Sequence, residues 1–134
     1  MLTISPEKVC YIIVKAREFD VKEGPSGLDD GGNPADDRSV EILEDYADDP
    51  TYEELTGAVQ GLNRDELVDL VALLWIGRGD FDRKHWADAR GNAAGIPDAR
   101  LARYIVGTPL LGDYLEEGLS LLGRGCEEYE IGHL

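Results

Sequence analysis

"RDELVDLVALLWI", Arg64 to Ile76, is the stretch that decides the fold. Leu67, Leu70, Val71 and Leu74 recur at helical spacing on one face, and Val68, Leu73, Trp75 and Ile76 widen that face towards the C-terminal end. A helix that is apolar nearly all round is a buried one, so this segment is expected to be the central core helix. Asn63-Arg64-Asp65-Glu66 opens it with a capping residue followed at N3 by a glutamate, the reciprocal capping pattern. Its longest apolar run, Leu70 to Ile76, is seven residues. A membrane span needs about 20, so the chain reads as a soluble protein.

Working outward, the next stretch is "WIGRGDFD", Trp75 to Asp82. Its Arg-Gly-Asp tripeptide would serve adhesion only with an extracellular address. The start Met1-Leu2-Thr3-Ile4 has no basic region followed by an apolar one, so no export signal is expected. The Gly77-x-Gly79 pair lacks the preceding strand and third glycine of a dinucleotide fingerprint, and the Gly-Lys-Ser/Thr of a P-loop. The economical reading is a helix stop followed by a helix start. Gly77 ends the core helix in a left-handed conformation, Asp80 caps the next helix, and Asp82 and Arg83 fill its first turn. Trp75 and Phe81 then pin the corner into the core.

The rest of the chain also reads as helices. Ser5 and Pro6 open one carrying Val9, Ile12, Ile13 and Ala16. Thr51 to Glu54 has the capping-box form for a short helix ending near Gly61. Others are expected from Phe81 to Ala94 and from Pro97 to Gly107. The last is expected to start at Thr108-Pro109, to turn Leu111, Tyr114, Leu115, Leu119 and Leu122 inward, and to stop at Gly123. Gly112 and Gly118 would admit close approach by neighbouring helices of the same chain or form a groove for a partner, the first being favoured. From Gly24 to Asp37, twelve of fourteen residues are Gly, Pro, Ser, Asn or Asp, which predicts a mobile acidic loop. A short helix follows around Arg38 to Tyr46, and 124–134 reads as a loose tail. The fold class is all-α, one domain in a compact array or bundle of about six helices.

The formal charge is −15, from 28 acidic and 13 basic residues, which disfavours direct nucleic-acid binding. It is uneven: Glu23 to Glu54 carries twelve carboxylates and one base, whereas Arg78 to Arg103 carries six bases and four acids. Two cysteines, Cys10 and Cys126, imply no disulfide framework and fit a reducing cytoplasm. Cys10 reads as a small buried apolar residue, and Glu127 and Glu128 beside Cys126 would raise its thiol pKa.

"ISPEKVCYIIVKAREFD", "LVALLWIGRGDFD" and "ARYIVGTPLLGDYLEEGL" together resemble a family of small bacterial proteins known as a domain of unknown function. The resemblance covers Leu2 to Asp20 and about Asp48 to Gly123 and leaves the acidic loop outside. It implies a bacterial origin and one compact unit. No catalytic residue can be carried over from it.

Candidate binding residues are Trp75, Arg78, Asp80, Asp82, His85 and Trp86, at and after the corner. Asp82 and His85 stand three apart, which suits a carboxylate–imidazole pair. His85 lacks enough ligands at helical spacing for a metal site, and no cofactor is expected. Asp29, Asp30, Asp36 and Asp37 do not make a calcium loop: read from Asp29, positions three, six and twelve are Gly31, Pro34 and Val40. The leading expectation is an interaction or accessory protein acting through a helical surface on a protein partner or a second copy, with no membrane contact. A small-ligand site or enzyme around Arg78 to Trp86 is the alternative, and an acidic nucleic-acid mimic the weaker one.

Overall fold

The computed structural model describes residues 2–23 and 50–126. The expected acidic loop, the helix around Arg38 to Tyr46 and the chain beyond Cys126 lie outside the described residues. Within them there are six α-helices and no strand: α1 Pro6–Glu23, α2 Pro50–Gln60, α3 Arg64–Arg78, α4 Trp86–Ala94, α5 Asp98–Gly107 and α6 Leu111–Leu121. A 3-10 turn, Arg83–His85, leads into α4. The all-α class therefore holds.

The centre is α3. Leu70 through Leu74 are fully buried, and α6, α4 and α5 pack around them. The capping box forms as expected: the Glu66 amide donates to the Asn63 side chain and the Asn63 amide to Glu66. Lys8 and that Asn63 amide hold the Glu66 carboxyl below its ordinary value. The start of α3 also ties down the end of α4, because the Arg64 guanidinium donates to the Ala94 and Ile96 carbonyls. Carbonyls in the last turn have no partner inside their own helix, so an arginine there satisfies them.

α1 lies across α6 and α2. Val9, Ile12, Ile13, Ala16 and Phe19 face inward, and Ser5 accepts from the Lys8 amide at the helix start. Arg17 reaches Asp113 and Glu116 on α6, which draws the Glu116 carboxyl below its ordinary value. The crossings depend on glycine. A Cβ on Gly112 would lie 2.9 Å from the Ile13 carbonyl oxygen, and one on Gly118 would overlap the Leu73 carbonyl. Close approach within the chain, the favoured of the two expectations, is what these glycines serve.

Several boundaries differ from expectation. α2 begins at Pro50, so Thr51 lies inside the helix instead of capping it. α3 runs through Gly77 and stops at Gly79, whose φ of 91° is the left-handed cap expected two residues earlier. Gly77 is needed elsewhere: a Cβ there would sit 2.7 Å from the Tyr114 carbonyl carbon and 2.9 Å from the Gly118 nitrogen. Thr108 does not open the last helix. Its hydroxyl donates to the Tyr104 carbonyl and closes α5, and α6 starts at Leu111 after Leu110, which has a φ of 59°. Gly123 ends the helix with a φ of 80°, as expected.

The cysteines require a correction too. Cys10 and Cys126 form a disulfide, with Cα atoms 5.7 Å apart, so they are not the separate thiols expected. The fold returns Cys126, after α6, to the buried face of α1, a proximity that a separation of 116 residues conceals. Arg124 to Cys126 are thereby anchored.

Candidate functional site

The six candidate residues fall into three groups. Trp75, Arg78 and Asp80 gather at the corner with Phe81 and Tyr104. The indole of Trp75 donates to the Tyr104 hydroxyl at 3.1 Å, and Phe81 packs against it with ring centroids 5.8 Å apart. The pinning role of Trp75 and Phe81 is as the sequence suggested. Arg78 donates to Asp80 at 2.8 Å, and its guanidinium carbon lies 5.9 Å from the centre of the Tyr104 ring. Asp80 therefore pairs back onto Arg78 across the left-handed Gly79 instead of capping a helix. The tripeptide folds on itself, its cation and its anion engaged with each other.

Tyr104, on α5, was not among the expected residues, although it holds both Trp75 and Arg78. Only the packing of α5 on α3 brings it there. Replacing it with phenylalanine keeps the ring but leaves a buried indole N–H without its acceptor. Urea unfolding is expected to show a loss of about 1–2 kcal/mol.

Asp82 and His85 form the second group. Oδ1 of Asp82 and Nδ1 of His85 are 2.6 Å apart on the 3-10 turn, in open solvent. The carboxylate raises the imidazole above its ordinary 6.5, and the imidazole lowers Asp82. For histidine the folded value exceeds the unfolded one. Its contribution is thus present below the ordinary value and disappears as pH rises through the raised one. An NMR titration should place His85 closer to 6.5 in Asp82→Asn than in the native chain. Identical curves would contradict the pairing.

Trp86 forms the third. It is buried at the start of α4 and lines a cleft of about 510 Å³ between α3 and α4 with Val68, Arg90, Gly91 and Ala94. Beneath Arg90 lies Asp69, the fully buried carboxylate of α3. Asp69 accepts from the Thr3 amide, from the Ile4 amide at 3.0 Å, and from Arg90 Nε at 2.6 Å. Three elements are thus fixed by one side chain. Its signal in the sequence was an acid set between Val68 and Leu70, on the apolar part of the helix.

Among the described residues, no group of three or more His, Cys, Asp and Glu side chains is placed to hold a metal ion. No helix there is long and apolar enough to cross a membrane.

The architecture defines the class: an all-helical array around one buried helix, with an aromatic–arginine corner where that helix ends. Residues 52–124, more than half of the chain, match the model of a family described as "protein of unknown function (DUF3775)". The chain belongs to that family. The matched residues run from α2 past α6, so the resemblance seen at Leu2 to Asp20 lies outside them. No curated protein and no solved structure matches.

Proposed function

We propose that this is a bacterial, cytoplasmic interaction protein that engages a protein partner or a second copy of itself through one helical face. That face runs from the Arg78 corner over the Arg83–His85 turn to the end of α6. Three placements support it. Gly77 sets the end of α3 against α6, Arg78 lies over Tyr104 of α5, and Arg83 Nη1 donates to the Leu121 carbonyl at 3.5 Å. The observation that carries the reading is Leu121. It is left 39% exposed at the end of a helix whose Leu111, Leu115 and Leu119 are buried, with exposed Arg83 beside it. An apolar side chain beside an exposed cation suits a partner that sets an acidic group next to an apolar contact. Size-exclusion with light scattering, together with capture from a native lysate, tests the reading. It expects either a dimer mass or one partner held at constant stoichiometry, and a strict monomer that retains nothing contradicts it.

A second reading, a small-ligand site, draws on the cleft beside Trp86. Its lining includes Arg90, whose Nε is committed to Asp69. Chemical-shift changes confined to Trp86 and Arg90 in a small-molecule screen would favour it. None of the three placements above bears on it.

A further inference from the structure

We propose that the Cys10–Cys126 bond is a thiol–disulfide switch that fastens and releases the stretch Gly123 to Cys126 after α6. Both cysteines lie outside the family's matched residues, 52–124. The bond therefore joins a helix that precedes the family body to a stretch that follows it.

α1 has many other ties. Its inward residues are buried, Thr3 and Ile4 donate to Asp69, and Arg17, Lys15 and Lys8 pair with Glu116, Glu54 and Glu66. The stretch Gly123 to Cys126 is held differently. The Gly123 and Arg124 amides donate to Ser120 and Leu119, and the disulfide fixes its far end. It contains two glycines and no helix, so it can swing once the bond opens. Opening the bond thus has a local result: Gly123 to Cys126 comes away and α1 stays.

A dithiol reductant completes the chemistry. Both cysteines are buried, Cys126 at 4% and Cys10 at 1% exposure, so attack follows local opening of Gly123 to Cys126, and the reductant's thiolate then meets Cys126 Sγ. The S–S bond breaks, and its electron pair leaves on Cys10 Sγ, which takes a proton. The reductant's second thiol then displaces Cys126, which leaves as a thiol, and closes a cyclic disulfide. Two electrons and two protons pass to the protein. Reoxidation requires a disulfide oxidant and returns both pairs. The switch rests on the cytoplasmic setting proposed above, since disulfides of reducing compartments are transient and those of oxidising ones permanent.

Hydrogen exchange of the full chain, oxidised and after dithiothreitol, tests it. Exchange at 122–126 and around Cys10 is expected to rise about tenfold or more, with 70–76 as slow as before. The Cys10→Ser/Cys126→Ser double variant should match the reduced form whether or not reductant is present. Unchanged exchange, or free thiols in the air-purified protein, overturns the proposal. Loss of protection across α3 also overturns it, because the bond is then a brace of the whole fold. Acid-trapped alkylation in cells separates the two readings: a bond oxidised in every sample overturns the cytoplasmic setting and the switch with it, whereas unchanged exchange overturns the switch alone.

Discussion

Asp69→Ala is expected to destabilise the protein by about 3–4 kcal/mol, the range for removing one partner from a buried charge pair. The carboxylate is fully buried and receives two backbone amides and Arg90 Nε. Its loss leaves the Thr3 and Ile4 amides without their acceptor and frees a guanidinium beneath α4. Arg90 is one-third exposed, so water recovers part of its loss, which keeps the figure below the upper limit. Arg90→Ala should cost less, because Asp69 keeps its two amide donors. Urea unfolding of both single variants and the double one measures this. The double variant should fall short of the summed single effects, since the two residues share one contact. Equal costs for the two single variants would mean that the amide bonds contribute little.

Gly118→Ala is expected to cost about 3 kcal/mol, at the upper end of the overpacking range. Helix propensity alone argues the other way, because alanine in a helix interior is favoured over glycine by about 1 kcal/mol. The sign is set by space. A Cβ on Gly118 overlaps the Leu73 carbonyl oxygen and lies 3.1 Å from its carbon, and backbone inside a packed helix cannot step aside. Gly77, facing Tyr114 across the same crossing, should behave alike. Gly57 on α2 is the control: nothing lies within 4 Å of its added Cβ. Gly57→Ala should be neutral or stabilise by up to about 1 kcal/mol. A stabilising Gly118→Ala would mean that α3 and α6 are further apart than described.

The contrast between Gly57 and Gly118 also shows what a sequence alone can disclose. Signals complete within a few residues were legible: the Asn63–Glu66 box, Ser5 at the start of α1, Gly123 at the end of α6, and the Asp82–His85 pair. Signals with two local readings were decided by packing. Gly77 and Gly79 are both plausible stops, and the contact with Tyr114 keeps Gly77 helical. Thr108 has a capping hydroxyl, but it serves the helix behind it, through Tyr104, instead of the one ahead. Contacts made across the chain gave little or no local sign. Tyr104 beneath Arg78 and the Cys10–Cys126 bond are of this kind.

The central functional claim is that the face ending at Leu121 carries the interaction. The most direct test is light scattering of whichever complex the native chain forms, compared between native and Leu121→Asp protein. Leu121 is exposed, so the variant should keep its unfolding midpoint, since such surface changes usually fall within about 0.5 kcal/mol. The proposal expects the variant to run at the monomer mass where the native chain runs as a dimer or partner complex. A variant that forms the same complex as the native chain, with the same stoichiometry and affinity, would contradict it.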